Sequence, residues 1–139
     1  MQDLLEQIED KLQQGYHCSQ IMLLLSLEMR GQENHLLLRA MGALGGGMFV
    51  GDTCGTLTGG ACLLSSYFPR EEGHPEPTEY CQAVAELVQW FDVAYGARRC
   101  IELTGLQATQ IRRLCPQMMA DTFERCIEIL EEHGIDIYE

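Results

Sequence analysis

Apolar residues recur along this chain at the spacing of α-helices rather than of β-strands. Leu4, Ile8 and Leu12 lie on one face of a first amphipathic helix, which Gly15 ends. The apolar run 21–27 is hydrophobic on nearly every side, so we expect that helix to be buried. Helices are predicted over residues 4–12, 21–27, 36–44, 54–67, 78–96, 98–103 and 116–133. The pattern therefore predicts an all-α fold, an irregular bundle of about six or seven helices in a single domain over residues 1–139.

Glycines are concentrated in one part of the chain. Eight of the 14 glycines lie within residues 42–60. Among them Gly51, Gly55 and Gly59 recur every four residues, which predicts a stripe of small residues where another helix approaches closely. The same region leaves room for a short strand at 48–50. A phosphate-binding loop is not supported, because no Gly-Lys-Ser/Thr follows the triple glycine.

The ends of the later helices are also predicted from local signals. Asp52 or Thr53 suits the N-cap of the helix that starts at Cys54. Pro116 fits the first position of the last helix, because a proline there lacks only an N–H that has no helical partner. Residues 70–77 are polar and proline-containing, and they are predicted to form a loop.

Composition and charge exclude several classes of function. With 9 basic and 21 acidic residues the net charge is -12, which disfavours binding to nucleic acid or to an anionic membrane surface. The first residues resemble no signal peptide, and the longest uncharged run, 53–69, is too short and too polar for a membrane span. We therefore expect a cytoplasmic protein without a membrane span.

The seven cysteines are more numerous than a core of this size requires. Their odd number and the expected reducing compartment argue against a disulfide framework, which leaves metal binding, redox chemistry or a nucleophile. Cys62, Cys81 and Cys126 lie among apolar neighbours inside predicted helices, so we interpret them as core residues.

Cys54 is the strongest single candidate for reactivity. It follows flexible glycines and a predicted cap, so it is expected in the first turn of a helix. Unpaired amides and the helix dipole stabilise a thiolate there, which predicts a pKa below the ordinary value of about 8.5. The alternative is that Cys54 is a small residue chosen for packing.

Arginine pairs accompany two further cysteines. Residues 98–99 precede Cys100 and residues 112–113 precede Cys115, so four of the nine basic residues lie beside thiols. Such arginines would lower a thiol pKa, or they would simply line a solvated helix face. Cys18 and Cys115 are expected at helix starts. No pair of these cysteines has the Cys-x2-Cys spacing of zinc ribbons, so spacing alone leaves a four-thiolate site open.

Four segments together resemble the redox-active proteins named after their cysteine pattern, C_GCAxxG_C_C. The segments are GYHCSQ at 15–20, CGTLTGG at 54–60, GARRCIELTG at 96–105 and Cys115, and the resemblance covers about residues 15–130. Thr56 stands where the pattern has alanine. A histidine at position 17, before the first cysteine, leaves an additional ligand open.

The resemblance implies a redox role for Cys18, Cys54, Cys100 and Cys115. A related module in split-Soret cytochromes is associated with an iron–sulfur centre, which makes a cluster bound by four cysteines, used in electron transfer, the leading hypothesis. Zinc is the secondary choice of metal. The redox partner protein is unknown, a homodimer stays an option, and whether the protein is an enzyme is open.

Two other functions remain as alternatives. The first is thiol–disulfide chemistry without metal, in which Cys54 is the catalytic thiolate and one of the other three cysteines resolves the intermediate. The second is a non-redox protein, either a structural zinc module or a helical interaction domain with cysteines in its core.

Overall fold

The computed structural model describes residues 2–69 and 79–139, and both stretches are mainly helical. The described residues form seven α-helices: α1 (Leu4–Gln13), α2 (Cys18–Met29), α3 (His35–Met41), α4 (Gly55–Tyr67), α5 (Glu79–Tyr95), α6 (Cys100–Thr104) and α7 (Ala108–Glu132). In the same residues there is no β-strand, only one isolated antiparallel bridge between Thr53 and Arg99. The predicted all-α bundle is confirmed. No helix in these two stretches is long and apolar enough to cross a membrane.

Most predicted helices agree with the structure to within a few residues. The helix predicted at 36–44 is α3, which continues as a 3₁₀ turn over Gly42–Leu44. The helix predicted at 98–103 is the five-residue α6. Thr78 and the loop predicted at 70–77 lie outside the described residues.

Helix α4 lies at the centre of the bundle and packs against α2, α5 and α7. Its residues are apolar or small on nearly every side, which suits a helix surrounded by other helices. A Cβ on Gly59 would lie 2.9 Å from the Cα of Ser19, so the backbones of α4 and α2 nearly touch. The close approach predicted for Gly55 and Gly59 is confirmed, whereas Gly51 precedes the helix and is not part of its stripe.

Large apolar side chains from five helices meet in one core. Its fully buried members include Ile8, Ile21, Met22, Leu63, Leu64, Leu87, Phe91, Met119, Ile129 and Leu130. Burial of each such side chain contributes about 1.5–3 kcal/mol relative to its exposure. This core fixes the relative positions of α2, α4 and α7, the helices on which three cysteines of interest lie.

Helix α7 begins earlier than the sequence predicts. It starts at Ala108 and continues through Pro116, so the prediction that this proline opens the helix is wrong. A proline inside a helix cannot donate to the carbonyl four residues before it, here that of Arg112. Pro116 is nevertheless buried, and its packing offsets the lost hydrogen bond. Cys115 therefore lies inside a helix and not at a helix start.

The segment Gly47–Gly51 forms an irregular turn rather than the strand considered at 48–50. Four consecutive residues, Gly46 to Phe49, have positive φ angles between 57° and 64°. This conformation is left-handed. It suits the two glycines, Gly46 and Gly47, and is unfavourable for Met48 and Phe49.

Helix α4 also begins differently from the prediction. Its N-cap is Cys54, and neither Asp52 nor Thr53 caps its first amides. The Asp52 carboxylate lies instead 3.9 Å from the Arg99 guanidinium, and Thr53 pairs with the backbone of Arg99. The N–H groups of Thr56 and Leu57 donate to the Cys54 sulfur, which takes the place of the expected cap.

The other end of α4 anchors the C-terminal residues. The Tyr67 hydroxyl donates to the Ile137 carbonyl at 2.8 Å. His133, with a side chain only 14% exposed, lies within 3.3 Å of both Glu79 and Glu86 of α5. Desolvation lowers the pKa of His133, but the hydrogen bonds with the two carboxylates outweigh it and raise that pKa above its ordinary value.

Candidate functional site

Backbone pairing makes Cys54 and Cys100 diagonal neighbours across one antiparallel bridge. The bridge between Thr53 and Arg99 is flanked by two hydrogen bonds of 2.7 Å, each from a cysteine amide to a carbonyl of the opposite segment. Neighbouring side chains in such a pair point to opposite faces, so both thiols lie on the face that Thr53 and Arg99 leave free. The two cysteines are buried, with 6% and 9% of their surface exposed.

Cys18 begins α2 and lies against the first residue of α4. A Cβ on Gly55 would lie 2.5 Å from the Cys18 sulfur, so this approach requires a glycine. Burial and then the nearby Cys54 thiol raise the pKa of Cys18, although backbone N–H groups of Gly46 and Ser19 donate to its sulfur. The first cysteine of the pattern is therefore adjacent to the second.

Cys115 joins the group from α7. Burial and then the charges of Cys54, Cys18 and Cys100 raise the pKa of Cys115 to about 12. Cys18 is in turn affected by Cys54 and Cys100, and Cys54 by Cys100. Every one of the six pairs among these four thiols is thus close enough for one charge to disfavour another. The fold brings together four cysteines that are far apart in the chain.

The low pKa predicted for Cys54 is wrong. Burial raises the pKa of this thiol, although the N–H groups of Thr56 and Leu57 and the Thr56 hydroxyl donate to its sulfur and act in the opposite direction. The helix-start donors are present as expected. In a buried position, however, the cost of desolvating a thiolate exceeds what these donors return.

The arginines near Cys100 interact with carboxylates rather than with thiols. Arg98 makes two hydrogen bonds of 2.6 Å to Asp92, and Arg99 lies 3.9 Å from Asp52 and 3.8 Å from Glu102. Burial and the other thiols raise the pKa values of Cys18, Cys54 and Cys115. The alternative of a solvated, ion-paired face therefore describes this arginine pair.

The three remaining cysteines differ in burial. Cys126 is fully buried, burial raises its pKa, and its sulfur lies 3.7 Å from the Gly60 carbonyl. Its prediction as a core residue is confirmed. Cys62 is half-buried beside the small cluster of Leu23, Leu27 and Met41, and Cys81 is half-buried on α5.

The site includes residues that the sequence did not identify. Gly46 donates to the Cys18 sulfur from the left-handed turn, and Thr104 places its hydroxyl 3.8 Å from the Cys100 sulfur. For Gly46, the triple glycine at 45–47 is the sequence feature that could have indicated this role. His17, which the sequence left open as an additional ligand, has an exposed ring that packs edge-on against Phe49. The two ring centroids are 5.2 Å apart.

A metal ion would require several ligand side chains to converge within residues 2–69 and 79–139. In that part of the chain no group of three or more His, Cys, Asp or Glu side chains is spaced to hold a single metal ion. The four thiols are therefore neighbours without forming the tight arrangement that one ion requires.

Comparison with known proteins gives one match. A family model, C_GCAxxG_C_C, described as "Putative redox-active protein", matches residues 16–129. All four clustered cysteines fall within the matched part of the chain. No curated protein and no solved structure matches the chain.

Proposed function

The chain belongs to the C_GCAxxG_C_C family of redox-active proteins, and on that basis we propose that it is an electron-transfer protein. In this proposal Cys18, Cys54, Cys100 and Cys115 bind an iron–sulfur cluster. The observation that carries the proposal is the convergence of these cysteines in space: one antiparallel bridge joins the segments of Cys54 and Cys100, and the Cys18 sulfur lies against Gly55. A cluster bound by four thiolates supplies one-electron exchange.

The chemistry of the donors fits such a group. Four thiolates gathered in a buried place repel one another and lose hydration, so they need positive charge among them. N–H groups directed at the sulfurs of Cys18 and Cys54 would orient these ligands and stabilise their charge. Because Cys18, Cys54 and Cys115 have raised pKa values without a cluster, binding releases protons and becomes tighter as pH rises.

A cluster places less strict demands on the positions of the thiols than a single ion does. Tetrahedral zinc with Zn–S distances of about 2.3 Å requires sulfurs roughly 3.8 Å apart. Within the described residues no three ligands meet that requirement. A cluster distributes its thiolates over different iron atoms, so it accepts a wider group of sulfurs. Zinc remains the secondary choice of metal.

Thiol–disulfide chemistry is the second candidate. It is favoured by the position of Cys54 and Cys100 on one face of the bridge, where oxidation of the two free thiols to a disulfide would release two electrons and two protons. In this candidate Cys54 is the catalytic residue. Its raised pKa argues against an efficient attacking thiolate, and diagonal neighbours in a sheet are about 7–8 Å apart, beyond the usual disulfide range.

Anaerobic reconstitution tests the two candidates. The reduced full-length chain is incubated with iron and sulfide, desalted, and analysed for iron, acid-labile sulfide and visible absorption. We expect both elements to remain bound and a broad visible band that bleaches on reduction. A colourless chain that instead forms a Cys54–Cys100 disulfide under mild oxidant would replace the first candidate with the second.

Two serine variants on one helix provide the matched comparison. Cys54→Ser at the start of α4 should abolish iron and sulfide retention, whereas Cys62→Ser two turns later should retain both. Cys18, Cys100 and Cys115 should behave like Cys54. Full retention of iron and sulfide by Cys54→Ser would contradict the assignment.

A further inference from the structure

The Thr56 hydroxyl is buried beside the sulfur of Cys54. Thr56 is the second residue of α4 and is only 1% exposed, so its side chain has almost no access to water. Burying a hydroxyl without a hydrogen-bond partner costs free energy, and buried polar groups are therefore bonded as a rule. The partner here is the Cys54 sulfur, to which the Thr56 hydroxyl donates. This sulfur explains how a polar side chain is accommodated at the position.

Three hydrogen bonds converge on the Cys54 sulfur. Two come from the N–H groups of Thr56 and Leu57 in the first turn of α4, and the third comes from the Thr56 hydroxyl. The sulfur of Cys18 accepts from two N–H groups, those of Gly46 and Ser19. N–H donors belong to the backbone, so any residue except proline supplies them. The hydroxyl is different, because it depends on which side chain stands at position 56.

Two other threonines near the site direct their hydroxyls to the backbone. Thr58, half-buried in the same helix, donates to two carbonyl oxygens at 3.4 Å each. The Thr104 hydroxyl lies 3.8 Å from the Cys100 sulfur but donates to the Cys100 carbonyl at 2.9 Å. A hydroxyl has one proton to donate, so these two protons are not available to sulfur. Of the three threonines, Thr56 is the one whose hydroxyl proton is directed at a thiol.

A donor at a ligating sulfur changes how readily a cluster accepts an electron. One electron arrives from an external one-electron donor, no bond forms or breaks, and the hydroxyl proton stays on Thr56. The positive end of the O–H dipole stabilises the added negative charge, and hydrogen bonds to the sulfurs are among the determinants of the reduction potential. Cys54 is only 6% exposed, so little water screens this dipole.

We propose that Thr56 is a positioning residue of the redox site, whose hydroxyl holds the Cys54 sulfur and raises the reduction potential of the cluster bound there. This inference rests on the proposed redox function and adds to it a residue outside the four cysteines. Thr56 lies at the start of α4, the helix that packs against α2, α5 and α7. Its hydroxyl is therefore held in place before the electron arrives, and its dipole need not reorient.

Potentiometric titration of the reconstituted full chain tests this role. The native chain, Thr56→Val and Thr56→Ser are loaded anaerobically with iron and sulfide and titrated with dithionite in the presence of redox dyes. Valine keeps nearly the volume of threonine but has no hydroxyl. The equilibrium constant for reduction should therefore fall about tenfold in Thr56→Val, which for one electron is a shift of about 59 mV to lower potential. Thr56→Ser keeps the hydroxyl and should keep most of the native potential.

Thr58→Val is the matched control. It removes a hydroxyl of the same type from the same helix, but one that donates to carbonyl oxygens. This variant should have the potential of the native chain. Far-UV circular dichroism and the iron and sulfide contents verify that each variant is folded and loaded.

Proton NMR of the reduced, cluster-free chain tests the hydrogen bond without any cofactor. The Thr56 hydroxyl proton should exchange slowly with water and show a nuclear Overhauser effect to the Cys54 β-protons. Cys54→Ala removes the acceptor, so this resonance should move upfield or disappear through faster exchange. A Thr56 hydroxyl resonance that Cys54→Ala leaves unchanged would overturn the proposal.

The outcomes separate the role of Thr56 from the proposed function. A native chain that retains no iron and sulfide would refute both, even where NMR finds the hydroxyl on the sulfur. A loaded Thr56→Val with the native potential would refute the role of Thr56 and leave the cluster. The same conclusion would follow if Thr58→Val or Thr56→Ser shifted the potential as far as Thr56→Val does.

Discussion

Replacing Gly59 with alanine tests the close packing that positions α4 against α2. The added Cβ would lie 2.9 Å from both the Cα and the carbonyl oxygen of Ser19. Carbon atoms in good contact are about 3.5–4.0 Å apart, so the backbone of one helix must move. Overpacking of this kind costs about 1–3 kcal/mol. Alanine in place of glycine inside a helix returns about 0.5–1 kcal/mol, so we expect a net destabilisation of roughly 1–2 kcal/mol.

Gly60 is a matched control in the same helix. A Cβ there would lie 3.0 Å from a Leu87 methyl group and at least 3.3 Å from the ends of the Cys126 and Thr122 side chains. The Leu87 methyl group is the end of a flexible side chain and can rotate away. Gly60→Ala should therefore keep most of the helix-propensity gain and change the free energy of unfolding by no more than about 0.5 kcal/mol.

The two variants are compared by urea unfolding followed by far-UV circular dichroism. We expect Gly59→Ala to unfold at a lower urea concentration than Gly60→Ala with an unchanged slope, a difference of about 0.5–2.5 kcal/mol in the free energy of unfolding. In thermal unfolding this corresponds to roughly 4 °C per kcal/mol for a chain of this size. Equal midpoints, or a lower midpoint for Gly60→Ala, would refute the inferred contact between the backbones.

Three further predictions concern Gly55, Cys115 and His133. Gly55→Ala places a Cβ 2.5 Å from the Cys18 sulfur, so reconstituted protein should retain less iron and sulfide than the native chain, and equal retention would contradict this. In the reduced chain at pH 8, Cys115, with a pKa of about 12, has far less thiolate than an ordinary thiol, although each thiolate is more nucleophilic. It should react with iodoacetamide about a hundredfold more slowly, as peptide mass spectrometry can measure. Because the pKa of His133 is raised, its protonated form stabilises the fold below about pH 6.5, and this contribution is lost as pH rises through the folded-state pKa. Urea unfolding midpoints should therefore show that Glu86→Gln destabilises the chain more at pH 6 than at pH 9.

Most helices could be predicted from the sequence because helix formation depends on residues that are close together in the chain. The apolar face of α1 and its end before Gly15 depend on spacing within a few residues, and so does the buried character of α2. The close approach at Gly59 was also predicted, because small residues four apart share one face of a helix.

Predictions failed where tertiary packing overrules a local preference. Pro116 is common at a helix start, yet burial against the core keeps it inside α7. The left-handed conformation of Met48 and Phe49 is opposite to what their side chains prefer, so no propensity indicates it. Only the turn as a whole, held between Cys18 and α6, determines it.

The sequence by itself selected four cysteines for the site and an all-helical fold to carry them. That choice came from the interpretation of the other three cysteines as core residues and from the resemblance to the C_GCAxxG_C_C pattern, since both depend only on the order of residues in the chain. The tertiary structure determined the direction in which the pKa of the Cys54 thiol is shifted. Cys54 has the helix-start donors that the sequence indicated, but its pKa is raised because the packing of α4 against its neighbours buries it among three other thiols. Desolvation and charge repulsion depend on which residues meet in space, and that information exists only in the folded chain.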